Sequence, residues 1–319
     1  MTPWWLPLRA RSSRWAGLAA EAGEITLTVV GGGTGAAQGL LAADVQAGEF
    51  TAANLGELVS RNSCDRAHCV LTLEPGAYSL FQVERPPVGE DELRDAVRWK
   101  IKDLIDYPLE EAVLDVFDVP PRGQGQTSGT VYVAVAHAAQ LRPRVAAIQD
   151  AGLRLERIDI AELSLRNIAG RVSAPDEAIA LIHLGRHRGM VAIARGQTLY
   201  LARSVSYGFD TLNPVASADS DELGLADVDP GLEAIALEVQ RTADYYDSYF
   251  GQASVRKVRI VPGLPSLEGL ASHLGNTLAL DAQLVPFEEL GMLAEDIDAA
   301  SLAPGVLALG GVLLPGEGS

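Results

Sequence analysis

A chain of 319 residues, 48% hydrophobic and 21% charged, carries enough apolar material to bury a core without disulfides or metals, which excludes a disordered chain. That length sets a prior of roughly two domains. The formal net charge of −17 gives a surface that repels phosphate backbones, so nucleic acid is not an expected partner and any membrane contact is expected to be indirect.

In chain order, residues 1–9 hold aromatics and prolines but no apolar run, so they do not read as a signal peptide. Residues 15–30 read as two strands joined by a turn at Glu21, Ala22 and Gly23, and the second strand is rich in β-branched residues. Strands at 69–73 and 78–83 flank a turn at Pro75 and Gly76. Leu93, Val97, Ile101 and Leu104 or Ile105 recur at helical spacing. This predicts a helix over 90–106, with Gly89 as N-cap, Glu92 reaching back and Pro108 as the stop. Strands at 112–119, 130–136 and 155–160 follow, with helices at 141–151, closed by Gly152, and at 161–170. The small, polar residues 173–176 divide the chain into 1–174 and 175–319.

Three apolar strands at 178–184, 190–194 and 198–205 open the second half as a meander. Beyond the polar stretch 217–230, Leu232, Ile235, Val239, Ala243, Tyr246 and Phe250 share one face of a helix over 232–250. A strand at 257–261 and a helix at 267–278 follow. The most apolar stretch, 302–315, is short for a bilayer and interrupted by Pro304, Gly305, Gly310 and Gly311, so the expected location is cytoplasmic. Each half thus begins with antiparallel strands and then mixes strands with helices.

Several motifs fall short of the chemistry they suggest. Gly31, Gly33 and Ala36 after a strand resemble a dinucleotide fingerprint, but Gly35 and Gly39 spoil the helix, and Asp44 and Glu49 come too early for the ribose. A hairpin is the better reading. Cys64 and Cys69 make half a metal site with only His68 nearby, and read instead as one strand-edge and one buried thiol. His183 and His187 flank Gly185 in a strand-turn, as a buried and an exposed histidine. No phosphate-binding Gly-Lys-Ser/Thr loop, nucleophile elbow or zinc-protease helix occurs.

Three segments together resemble the PilM/MshI group of type IV pilus assembly proteins, with wording closest to its mannose-sensitive haemagglutinin branch. The most specific runs from Val83-Glu84-Arg85-Pro86-Pro87 through 92–100 to Leu104-Ile105-Asp106-Tyr107-Pro108 and on to Asp115. The second is 182–208, closing on Arg203-Ser204-Val205-Ser206-Tyr207-Gly208. The third joins 238–246 to Val261-Pro262-Gly263-Leu264-Pro265 and on to Leu270. The resemblance spans about 14–309. It implies an α/β, actin-like ATPase (ribonuclease H-like) fold of two lobes, with a small subdomain of about 62–122 inserted in the first. It also implies a place at the inner face of the inner membrane, a bitopic PilN-like partner whose cytoplasmic tail is bound, other pilus assembly components nearby and, in some relatives, ATP between the lobes.

Actin-like ATPases carry an Asp-x-Gly turn in the first hairpin of each lobe, where the Asp orders Mg²⁺ and the Gly admits phosphate. Here Ala19 and Glu21 stand in the first lobe's positions, and His183 and Gly185 in the second's; Gly263 matches the adenosine-side turn. The expectation is a pseudo-ATPase scaffold with no catalytic residue, no metal and no cofactor, ATP being the alternative ligand. An ATP-binding switch, a slow ATPase and a type II secretion platform protein are the rival readings. For the partner, Phe81, Trp99 and Tyr107 offer aromatic anchors, and Arg94, Arg98, Lys100 and Lys102 a basic cluster, at the cleft between the inserted subdomain and the first lobe.

Overall fold

The computed structural model describes residues 14–32, 38–122, 129–212, 229–262, 264–285, 290 and 303–313. Strands β1 (Trp15–Glu21) and β2 (Glu24–Gly32) form the first hairpin, paired from Glu21↔Glu24 outward. Its two turn residues, Ala22 and Gly23, have φ of 53° and 80°. Two left-handed residues make the turn whose twist matches the flanking strands.

Strand β3 (Gln38–Ala47) pairs antiparallel with β2, so the Gly31 region belongs to a hairpin. Residues 33–37, which carry the centre of the fingerprint-like motif, lie outside the described residues. Helix α1 (Ala52–Arg61) follows, its N-cap Thr51 hydroxyl accepting the Asn54 N–H at 3.3 Å. Strand β4 (His68–Leu73) pairs parallel with β1, and β8 (Arg154–Ile160) parallel with β4, giving the order β3-β2-β1-β4-β8. The second half repeats this plan. Strands β9 (Ala178–Leu184), β10 (Gly189–Arg195) and β11 (Thr198–Val205) form the meander, and β12 (Lys257–Val261) and β13 (Asp281–Leu284) add parallel strands in the order β11-β10-β9-β12-β13. Two copies of one ribonuclease H-like sheet make this the actin-like fold.

A third sheet, β5-β7-β6, is small and antiparallel, built from β5 (Ser79–Glu84), β6 (Ala112–Asp118) and β7 (Thr130–His137). Within the expected 62–122 insertion, β4 therefore pairs in the first lobe's sheet, while β7, beyond it, pairs in the small one. Helix α2 (Glu90–Lys100) buries Leu93 and Val97, and with Ile101 they close a core with Ala112, Leu114, Val131, Val133 and Val135. The helix stops at Lys100, not near Asp106. Ile101 already caps it, the chain tightens so that the Leu104 N–H bonds the Ile101 carbonyl at 2.9 Å, and Leu104 is half exposed. Pro108 is thus not the stop.

Helices α3 (Ala138–Asp150) and α4 (Ala161–Val172) close the first half, and α5 (Pro230–Phe250) and α6 (Glu268–Leu278) cover the second sheet. Helix α7 (Val306–Val312) lies in the segment expected with the second lobe, yet it packs on β1, β2 and β4 of the first sheet and on α4. The Ser164 hydroxyl donates to the Leu307 carbonyl at 2.8 Å, the Asn167 amide to Gly310 at 2.9 Å, and Arg157 to Gly311 at 2.8 Å. One core cluster runs through both lobes, joining Ala19, Val70 and Leu165 to Leu181, Met190 and Ala192 and to Val306 and Leu309.

Both cysteines are free and buried. Cys64 follows α1 rather than edging a strand, and its thiol donates to the Val59 carbonyl. Burial lifts the Cys64 thiol to about 11 and Cys69 higher still, so both are inert at neutral pH. Among the described residues, no helix is long and apolar enough to cross a membrane.

Candidate functional site

The two hairpin turns that hold phosphate in an actin-like ATPase face each other across the lobes here. Between them lies a cavity of about 420 Å³, lined by Ala20 through Glu24, by Glu49, Phe50 and Glu74, and by Arg144 and the 187–190 turn with His183. The Glu21 carboxylate reaches out of the first turn and rests on Gly185 of the second, where a β-carbon would fall 2.8 Å from its Oε2. The backbone N–H of Arg186 donates to this carboxylate. The Arg186 guanidinium reaches back to Glu24 at 3.0 Å and stands 3.8 Å from Asp210.

The glycine kept at position 185 therefore admits the protein's own carboxylate, where a nucleotide's phosphate needs open backbone. Burial and the neighbouring Glu74 push the Glu21 carboxyl above its ordinary value; His187, the Arg186 N–H and the Arg186 charge pull it back only in part. Glu74 itself is clamped by Arg144 in a bidentate pair at 2.9 and 2.6 Å, with the guanidinium over the Phe50 ring. Nothing local announces that pair, because its members lie 70 residues apart on different elements.

Of the other cleft positions, Ala19 is buried in the core shared by the lobes, 4% exposed, and does not line the cavity. His183 is buried, and His187 is exposed. The His183 ring bonds the Val261 backbone, its Nδ1 has no partner, and burial depresses its pKa to about 4, so it is neutral at pH 7. A neutral imidazole on this strand supplies no metal-ordering charge. Gly263 lies outside the described residues. Among the described residues, no three His, Cys, Asp or Glu side chains gather as a metal site would require.

A second concavity, about 440 Å³, runs between the small sheet and the first lobe, lined by Gly76 through Ser79, Asp106, Tyr107, Val135, His137 and Gln140. Tyr107 stacks on His137 with ring centroids 4.4 Å apart, and His137 is paired with Glu111. Of the residues expected at this cleft, Tyr107 lines it and the others do not. Phe81 packs against the core of the small sheet. Arg98 donates to the backbone carbonyls of Leu109 (3.0 Å) and Ala112 (3.4 Å), tying α2 to the short helical turn Leu109–Glu111. Arg94 pairs with Asp115 at 2.8 Å and Lys100 with Glu84 at 3.3 Å. Two of the four cations of the expected basic cluster, Arg94 and Lys100, are therefore paired with carboxylates of their own subdomain. Trp99 points to solvent on the far side of the helix and is 70% exposed.

No protein-family model matches the sequence, and no curated protein does either. Solved structures do match in fold. A chain of a PilM–PilN type IV pilus biogenesis complex aligns with a TM-score of 0.71 at 23% identity, over 93% of this chain and 97% of that one. The cytoplasmic domain of EpsL, an inner-membrane component of the type II secretion system of Vibrio cholerae, aligns with a TM-score of 0.51 at 14% identity, over 92% and 94%.

Proposed function

We propose that this chain is a PilM-like component of a type IV pilus assembly platform, of the mannose-sensitive haemagglutinin type. It stands at the cytoplasmic face of the inner membrane and serves as a scaffold rather than an ATPase. The observation that carries the scaffold reading is Glu21 lying on Gly185 and accepting the Arg186 N–H, so that a carboxylate faces any incoming phosphate. The segments around Tyr107, Arg203 and Tyr245 and the fold shared with a PilM–PilN complex chain support the assignment to pilus machinery. The likeness to the EpsL cytoplasmic domain keeps the related secretion platform as the neighbouring reading.

Two measurements test this. ATP with Mg²⁺ is expected to shift the melting temperature by less than about 1 °C. A ligand at a hundred times its Kd would stabilise by about 2.7 kcal/mol, or several degrees for a chain this size. A saturable Mg²⁺-dependent rise of that order would instead establish a nucleotide switch. The partner is a bitopic PilN-like protein whose extended cytoplasmic tail lies in the concavity beside Tyr107. Tyr107→Ala is expected to weaken tail binding about tenfold, the effect of removing one aromatic anchor, at unchanged melting temperature. Titration calorimetry with the tail peptide checks it, and equal affinity for both proteins removes Tyr107 from the tail site.

A further inference from the structure

Helix α2 carries a second surface that neither the cleft nor the tail groove uses. Trp99 lies opposite the buried Leu93, Val97 and Ile101, and is the most exposed large hydrophobic side chain among the described residues. An isolated exposed leucine is ordinary, whereas a tryptophan held on the solvent face of a helix is the residue type most enriched at interaction hot spots. Nothing in the fold requires it there, because the apolar stripe that seats α2 is complete without it.

The charges around this ring are sorted. Asp95 lies one helical turn before Trp99 and Glu92 nearly a turn before that, on the same side of the helix. Asp103 is exposed just past the helix end. None of these three carboxylates has a side-chain partner among the described residues. The cations of the same segment are engaged elsewhere: Arg94 with Asp115, Arg98 with two backbone carbonyls, Lys100 with Glu84. Lys102 alone remains without such a partner among the described residues. The outward face is thus an indole flanked by three unpaired carboxylates against one unpaired cation, Lys102, on a protein of net charge −17.

The geometry points to this face as a docking site for a lysine- and arginine-rich segment of another protein, one cation seated over the Trp99 ring and its neighbours facing Glu92, Asp95 and Asp103. A guanidinium or ammonium over an indole gains from the ring's negative face, and the flanking carboxylates favour the same sign of charge. An acidic segment would meet repulsion from both the rim and the whole chain. This site is independent of the tail groove, which faces the first lobe.

The test uses the full chain and two synthetic 16-residue peptides of equal leucine content, one bearing lysine and arginine, the other glutamate in their place. Tryptophan emission reports binding. The basic peptide is expected to shift emission to shorter wavelength and to saturate, and the acidic peptide to do neither. Trp99→Ala, followed by titration calorimetry, and Asp95→Lys are each expected to weaken binding about fivefold at unchanged melting temperature. Glu57→Lys, the same charge change on the exposed face of α1, is expected to weaken it less than twofold. Equal losses in Asp95→Lys and Glu57→Lys would reduce the effect to net charge and overturn the site. So would undiminished affinity in Trp99→Ala, comparable binding of the acidic peptide, or no saturable binding of the basic one at low salt.

Discussion

Gly17→Ala is expected to lower the unfolding free energy by about 3 kcal/mol, the upper range for forcing a methyl group into a filled core. Gly17 sits on β1 beneath α7, and a β-carbon there would fall 2.7 Å from both the Ala308 carbonyl carbon and Thr28 Oγ1. One of those neighbours is backbone, so no rotamer change relieves the clash, and α7 must lift from the sheet. Gly310 and Gly311 meet Ser164 and Thr72 in the same close manner, so the helix cannot slide to make room. Gly56→Ala provides the contrast. Gly56 lies within α1 with nothing within 4 Å of its would-be β-carbon, and the same substitution there is expected to stabilise by about 1 kcal/mol through helix propensity. Urea unfolding midpoints of the two variants read both effects. A loss below about 1 kcal/mol in Gly17→Ala would show that α7 is not seated as described.

Acidification is expected to remove about 3 kcal/mol of stability through His183 alone. Its pKa falls from the ordinary 6.5 to about 4 on folding, because burial disfavours the charged ring. At pH 7 the ring is neutral in both states and contributes no penalty. As pH drops below 6.5 the unfolded chain takes up a proton that the folded chain refuses, and the loss grows until pH reaches about 4. Glu21 acts in the opposite sense. Its carboxyl is raised on folding, so its ionised form costs stability near neutrality, and that cost fades as pH falls through the raised value. The pair is separable by substitution. His183→Leu is expected to flatten the acid limb, losing about 3 kcal/mol less than the native chain between pH 7 and pH 4, whereas Glu21→Gln is expected to steepen it. Denaturant titrations at several pH values measure both, and parallel curves for native and His183→Leu chains would refute the His183 assignment.

The sequence revealed elements with strong periodicity and concealed those whose structure depends on distant partners. Both meanders were legible because β-branched and apolar runs alternate with glycine-bearing turns, and α5 was legible from its apolar face. Strand β3 was not, since Gln38, Gly39, Ala42, Ala43 and Asp44 have weak strand preference and take their place by pairing with β2, with Asp44 also held by Arg61 and Asn62. Helix α2 read too long because Leu104 falls at helical spacing while lying in a tight turn closed by its own N–H on the Ile101 carbonyl. In α7 the glycines looked like interruptions, whereas they are the points at which the helix meets Ser164 and Thr72. At the cleft, the departures at Ala19, Glu21 and His183 were readable as changes of residue type. That Glu21 would cross to Gly185, and that Arg186 would answer Glu24 from 162 residues away, were properties of the assembled lobes alone.

The seating of α7 on the first sheet also sets an order of events at the ribosome. The first lobe is synthesised first, and domains generally begin to fold in that order. Yet β1, β4 and α4 share a core cluster with Val306, Leu307 and Leu309, from the far end of the described chain, and with Leu181, Met190 and Ala192 of the second sheet. The nascent first lobe must therefore wait, partly bare, while the whole second lobe emerges, and it is completed last. A chain halted before residue 306 would leave the older lobe as the exposed one, and a chaperone or protease would meet that lobe first.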